Sequence, residues 1–429
     1  MRSPAILLAL TALATGPLVA QGTPLRVQPV GDSLTVGAPV AGGYRTRLFD
    51  QMSLAGTPID FVGPLRTNPD PGNLPDPEHD GHGGFTIYDI GYWPQAGGGS
   101  FPIGQRVDAY LPDALLILVG LNDLWPSQPP APWYLASNRM DQLVAAALQR
   151  PVAPTVVLAT LVPSLFDQLN LKIESFNREL VELVRARHAA GDKITLVDQH
   201  AAVPQGEIYD LGIHPTQAGY DLMADAWAAA LLNLGAPPVL PPPPGPVIGQ
   251  VAGFASDSAA GLLPAYAVNR SGLAQGLRGS VFHDADKAPG LSVWTSGLHD
   301  WVGNPGEYMA PADQVWFAAR LPQKYDLDRF QVWNGRTLSV SYLNLECARD
   351  VEVLTSEDAV TWTSRGLFRF RSAPDDRAHP GEVFDVSWMG VKYIAFDVKD
   401  CWELIQPGTA QGTFSVSFSE LLFHGTPTP

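Results

Sequence analysis

The amino-acid sequence predicts an α/β unit wound around a parallel sheet, followed by an all-β antiparallel sandwich. Three observations predict this. Up to about residue 235, apolar strand-like runs alternate with amphipathic helical patterns, as an α/β unit requires. From Ala236 to Val247 the run APPVLPPPPGPV crowds prolines too densely for helix or sheet and favours an extended spacer. Beyond it come short runs rich in Trp, Phe, Tyr and Val, parted by Gly, Pro, Asn and Asp, which is sandwich texture. A chain of 429 residues also suits two cores better than one.

The first residues, MRSPAILLALTALATGPLVAQG, place Arg2 before a short apolar run that Gly16 and Pro17 interrupt. That is the layout of a signal peptide at 1–20, cut near Ala20-Gln21, so a secreted or periplasmic location is expected. No other run approaches the roughly 20 apolar residues that span a bilayer, so no membrane insertion is expected after cleavage. With 43 acidic and 27 basic residues the net charge is -16, which repels phosphate backbones and excludes nucleic acid as a partner. The only cysteines are Cys347 and Cys401. In an oxidising compartment they can close a loop of about 54 residues, worth ~4 kcal/mol in the chain-entropy model, or remain two buried thiols.

In chain order, Leu25–Val30 reads as the first strand, Ala114–Val119 as a buried one, Thr155–Leu161 as another and Ile194–Val197 as the last. Ile173, Phe176, Leu180, Leu183 and Val184 recur at helical spacing before Gly191, which suits a C-terminal cap. Tyr220, Met223, Trp227 and Leu231 form a second stripe, read as core packing. The expected division is thus 21–235 for the α/β unit, 236–247 for the linker and 248–429 for the sandwich.

The first strand runs directly into Gly31-Asp32-Ser33, placing a serine at the C-terminal edge of the sheet, where α/β folds gather their sites. Gly31 is expected to allow a tight turn there. A serine hydroxyl needs a base to take its proton. Of nine histidines the best placed is His214, in a loop before the last helix, with Pro215 suited to the helix entrance. Ester hydrolysis also needs donors for the oxyanion. Gly81-His82-Gly83-Gly84-Phe85 and Gly120-Leu121-Asn122-Asp123 can supply them, while Asp32 and Asp123 are expected to hold their loops by hydrogen bonds. His79, Asp80 and His82 resemble a metal cluster, but the surrounding glycines argue against a metal there. No G-x-S-x-G elbow occurs, against an α/β-hydrolase.

These four ordered blocks resemble the SGNH (GDSL) hydrolases, from about Leu25 to Leu232. The resemblance implies a flavodoxin-like three-layer sandwich, Ser33 as nucleophile, and His214 as general base and acid. It further implies an oxyanion hole of the Ser33 and Gly84 N–H groups with the Asn122 amide, and no cofactor for catalysis. HDGHGGFTI and VDQHAAVPQGEIYDLGIHPTQAGYDLMADAW are similar to carbohydrate esterases that include acetylxylan esterases, which implies an acylated polysaccharide or oligosaccharide as substrate. One position departs from the pattern. The family's aspartate three residues before the histidine is Leu211 here, and the nearest acid is Asp210. Either Asp210 reaches the imidazole, or a backbone carbonyl orients it. Lipase-like or thioesterase activity on the same scaffold is the alternative, and a decayed hydrolase that only binds carbohydrate is another.

Beyond Ile248, YDLDRFQVWN, DVEVLTSEDAVTW, VKYIAFDVKDCW and FSVSFSELLFHG resemble discoidin-like domains of the galactose-binding type. The first is expected as strand and turn, the second as a strand with a turn at Ser356-Glu357-Asp358, the last as the closing strand. The resemblance implies a jelly-roll sandwich that binds carbohydrate, with Trp294, Trp301 and Trp402 as stacking or packing residues. A structural calcium held by Asp284, Asp286 and Glu420 is also implied.

Overall fold

The computed structural model of the chain describes residues 23–66, 74–93, 99–125, 132–256, 264–270, 273–275, 281–284, 294–295, 299–304, 308–311, 315–334, 348–371, 378–400, 413–414 and 417–429. The expected signal segment, Cys347, Cys401, Asp286 and Trp402 lie outside them. Asp284, Trp294 and Trp301 are described as strand backbone alone.

The α/β unit is built on strands β1 (Leu25–Gly31), β2 (Ile59–Phe61), β3 (Leu65–Arg66), β4 (Glu78–Gly81), β5 (Ala114–Leu118), β6 (Thr155–Ala159) and β7 (Ile194–Val197). They form one sheet in the order β3-β4-β1-β5-β6-β7, parallel throughout except at the outer β3–β4 pair. One flank of β1 is shared: β2 pairs its first residues, from Leu25 opposite Ile59, and β4 its last, with Gly31 opposite Gly81. Every residue of β5 is buried, so both sheet faces are covered.

The cover comes from α1 (Ser33–Val36), α2 (Tyr44–Leu54), α3 (Ile87–Tyr92), α4 (Ile103–Tyr110), α5 (Leu121–Leu124), α6 (Ala136–Leu148), α7 (Asp167–Ala189), α8 (Gln199–Ala202) and α9 (Gln217–Leu232). Helix α2 packs on α9, while α3, α4 and α7 pack on α6. The expected stripe of α7, Ile173 to Val184, is buried, and Gly191 follows its C-cap at φ 93°. The stripe of α9 is buried as well.

Three local expectations need correction. Gly31 makes no turn; it ends β1, and a Cβ there would lie 2.1 Å from the carbonyl oxygen of Leu118, so glycine lets two strand ends approach. Pro215 does not open α9, because Thr216 is the N-cap and its side chain accepts from Gly219 N. The segment before His214 is no loop but a hairpin of β8 (Ile208–Asp210) and β9 (His214–Pro215).

Beyond the linker the described strands are antiparallel. Val315–Asn334 lies at the centre of a sheet between Ser417–Pro427 and Glu382–Val398, followed outward by Asp350–Ser356 and Thr363–Arg369. YDLDRFQVWN is therefore strand throughout, its register irregular between Arg320 and Arg329. The turn after Ser356 is as expected, with the Ser356 hydroxyl accepting from Asp358 N and Ala359 N. Phe330 stacks on Phe384 and Trp388 at the heart of a second apolar cluster, separate from that of the α/β unit. Among the described residues no helix is long and apolar enough to cross a membrane.

The proline segment carries bonds along its length. Arg185 Nη2 of α7 donates to Pro241 O at 2.6 Å, Gly245 N to Asp328 Oδ2 at 2.8 Å, and Ile248 N to Phe423 O at 2.8 Å. Glu174 of α7 also pairs with Arg371 of the β region at 2.7 Å.

Candidate active site

Ser33 is the first residue of α1, at the end of β1 and beside the end of β5. Asp32 is the N-cap, its Oδ1 accepting from Leu34 N at 3.0 Å. Burial is the main cause that pushes the Asp32 carboxyl up to about 7; the Leu34 N–H opposes it and the charge of Asp123 adds to it. Oδ2 of Asp32 has no hydrogen-bond partner among the described residues.

His214 reaches this edge on the β8–β9 hairpin. Asp210 and His214 are cross-strand partners, and such pairs hold their side chains within contact distance. The turn between them puts Leu211 at φ 52° and Gly212 at φ 70°, and Ile213 N donates to Asp210 O at 3.1 Å. Two successive left-handed residues make the hairpin turn whose twist matches its strands. Asp210 Oδ2 lies 2.8 Å from His214 Nδ1, and His214 Nε2 lies 2.9 Å from Ser33 Oγ. It is thus a carboxylate, not a carbonyl, that faces Nδ1. Leu211, Gly212 and Ile213 lie between the two paired residues. Glu207 is engaged elsewhere, accepting from the Thr216 hydroxyl.

The glycine-rich block follows β4. His82 N donates to Gly31 O at 2.8 Å, tying this block to the residue two before Ser33, and Phe85 N donates to His82 O at 3.2 Å across Gly84, whose φ is 79°. Asn122, in α5 after β5, donates from Nδ2 to Phe85 O at 2.9 Å. One amide hydrogen pins the turn and the second is left over. Among the described residues the N–H groups of Ser33 and Gly84 donate to no acceptor. Asp123 holds the neighbouring loop as expected: Oδ2 accepts from Ile87 N and Oδ1 from Arg139 Nε.

His79, Asp80 and His82 belong to a buried polar network. His79 Nδ1 accepts from Gly81 N at 3.0 Å, and burial pushes its pKa down to about 3, which keeps the ring neutral. Asp80 lies 2.8 Å from His82 Nε2 through Oδ1 and accepts from Gln28 Nε2 and Arg106 Nε through Oδ2. Arg106 also donates to Ile90 O and Phe101 O. These bonds satisfy the buried carboxylate and hold His82 beneath Phe85, 4.7 Å between ring centroids. Among the described residues no group of three or more His, Cys, Asp or Glu could hold a metal ion. Glu420, expected to bind calcium, is fully buried and accepts from Arg270 N at 3.1 Å.

Sequence reading missed the aromatic rim of this edge. Trp125 and Phe166 meet edge to face at 5.7 Å between centroids, joining the loop after Asn122 to the loop after β6. The available signal was positional: both follow strands whose C-terminal ends carry the site.

Residues 30–222 match the model of the GDSL-like Lipase/Acylhydrolase family. A curated "Multidomain esterase" of Ruminococcus flavefaciens is 27% identical over 224 residues, 48% of this chain and 28% of the relative, so the chain spans only about a quarter of that protein's length. Among solved structures, a Clostridium thermocellum family 3 carbohydrate esterase is 26% identical with a TM-score of 0.42, covering 49% of this chain and 98% of the other. A family 3 carbohydrate esterase from Talaromyces cellulolyticus is 22% identical with a TM-score of 0.41, covering 49% and 97%. The stretch from residue 30 to residue 222, with its parallel sheet and its serine at the end of β1, is an esterase domain of GDSL/SGNH type.

Proposed function

We propose that this domain removes O-acyl groups, acetyl in the first instance, from a carbohydrate by acyl transfer through Ser33. The observation that carries the reading is the chain of contacts from Asp210 Oδ2 to His214 Nδ1 and from His214 Nε2 to Ser33 Oγ, at 2.8 and 2.9 Å. Ser33 Oγ attacks the ester carbonyl as His214 Nε2 takes its proton, and Asp210 holds the tautomer and stabilises the imidazolium. The Ser33 and Gly84 N–H groups and the spare Asn122 hydrogen receive the oxyanion. The imidazolium gives its proton to the leaving sugar oxygen, and water releases the acyl group by the reverse sequence.

The carbohydrate assignment rests on the similarity of HDGHGGFTI and the segment around His214 to carbohydrate esterases. The antiparallel β region is assigned the holding of glycan near the site, and export is the location that residues 1–20 support. A dead hydrolase drew its motive from Leu211, and the carboxylate at Asp210 removes that motive. A serine-directed fluorophosphonate should label Ser33 in folded protein, and hydrolysis should favour acetylated xylan over long-chain esters. Failure to label Ser33 rejects the nucleophile; a long-chain preference rejects the sugar.

A further inference from the structure

We infer that Phe166, Leu165 and Leu211, backed by Trp125, form the subsite for the sugar ring that bears the scissile acyl group. The inference rests on the acyl-transfer reading above and adds where the alcohol lies. His214 Nε2 must hand its proton to the leaving oxygen, so the leaving group sits on the hairpin side of Ser33. The carbonyl oxygen turns the other way, toward Gly84 and Asn122. Whatever lines the hairpin side therefore meets the alcohol and not the acyl chain.

That side is apolar, exposed and anchored by hydrogen bonds. Leu165, Phe166 and Leu211 are 48, 47 and 69% exposed. Leu165 N donates to Gly212 O at 2.8 Å, and a Cβ on Gly212 would lie 2.7 Å from the Phe166 ring, so the ring rests on the turn two residues before His214. Trp125 supports Phe166 from the Asn122 side. Behind them Ser164 is clamped: its N–H donates to Asn170 Oδ1, while Asn170 Nδ2 and Gln205 Nε2 donate to its carbonyl. A pyranose ring fits the surface, since its axial C–H groups make an apolar face for an aromatic ring while its hydroxyls stay at the solvent edge.

The test compares kcat/KM for an acetylated xylo-oligosaccharide with that for ethyl acetate, whose leaving group is too short to reach the wall. Phe166→Ala is expected to lower the ratio of the two by about tenfold, chiefly through KM for the oligosaccharide, and Phe166→Tyr, which keeps a ring, to restore most of it. Leu211→Asn, at a left-handed position that Asn tolerates, should lower the ratio by a smaller factor and serves if the alanine variant does not fold. An unchanged ratio in both Phe166→Ala and Leu211→Asn overturns the subsite. So does a loss that instead follows acyl length, from ethyl acetate to ethyl hexanoate, which would place the wall on the acyl side. Ser33→Ala separates the two levels: if it still hydrolyses both esters, the acyl-transfer reading itself has failed.

Discussion

Asp210 and His214 face each other across the hairpin that ends in α9, with Oδ2 of the first 2.8 Å from Nδ1 of the second. In the proposed mechanism the carboxylate answers a charge that exists chiefly when His214 has taken the Ser33 proton. Asp210→Asn is therefore expected to lower kcat by roughly 10³- to 10⁴-fold with little change in KM, and His214→Ala at least as far. Steady-state kinetics with circular dichroism on both variants checks this. Wild-type kcat in Asp210→Asn beside an inactive His214→Ala would take the orienting role away from Asp210.

Asn122 pins Phe85 O and, in the proposed mechanism, offers its second hydrogen to the oxyanion. Asn122→Ala should fold and yet lose about 100-fold or more in kcat, the usual effect of deleting one such donor. Retained turnover would exclude Asn122 from the site.

Leu211 stands at φ 52° with its side chain in solvent, a conformation that costs a Cβ-bearing residue about 1 kcal/mol. Asn tolerates it better. Leu211→Asn is expected to raise the melting temperature by about 2–4 °C, measured by calorimetry, whatever it does to catalysis. A lowered melting temperature would mean that Leu211 packs in solution.

Asp32 sets a pH dependence of a definite sign. Its folded pKa of about 7 exceeds the 3.8 of an unperturbed aspartate, so between these values the fold keeps a proton that the unfolded chain has released. The stability it contributes is complete below 3.8 and lost as pH rises through about 7. Asp32→Asn retains the cap and cannot titrate. Urea unfolding from pH 4 to 8 should show the variant gaining on wild type by up to about 1.4 kcal/mol per pH unit inside that window, then levelling. A difference constant with pH would contradict the raised value.

Much of the fold was legible where local chemistry and final environment agree. Strands β1, β5, β6 and β7 are largely apolar runs, wholly buried in β5 and half-buried in part in β7, and the stripes of α7 and α9 face the same core. The short β2, β3 and β4 were not legible, because EHDG and LR have no strand character of their own and are ordered by their neighbours. The β8–β9 hairpin hid for another reason: its turn needs two left-handed residues, and only Gly212 signals one. Ser33 and His214, which meet at 2.9 Å, could be singled out by residue type and order, and Gly84 and Asn122 by the family resemblance. Phe166 could not, since its place depends on Gly212, which is distant in sequence and adjacent in space.

The proline segment has a mechanical consequence. A free polyproline tether would let its two flanks tumble with separate correlation times. Bonds at Pro241 and Gly245, with the Glu174–Arg371 pair alongside, make it a strut under lateral bracing. Contacts of this kind would restrict how far the esterase domain and the β region turn against each other. Under the proposed glycan-holding role, a polymer gripped by the β region would meet Ser33 within a narrowed span instead of at the end of a leash.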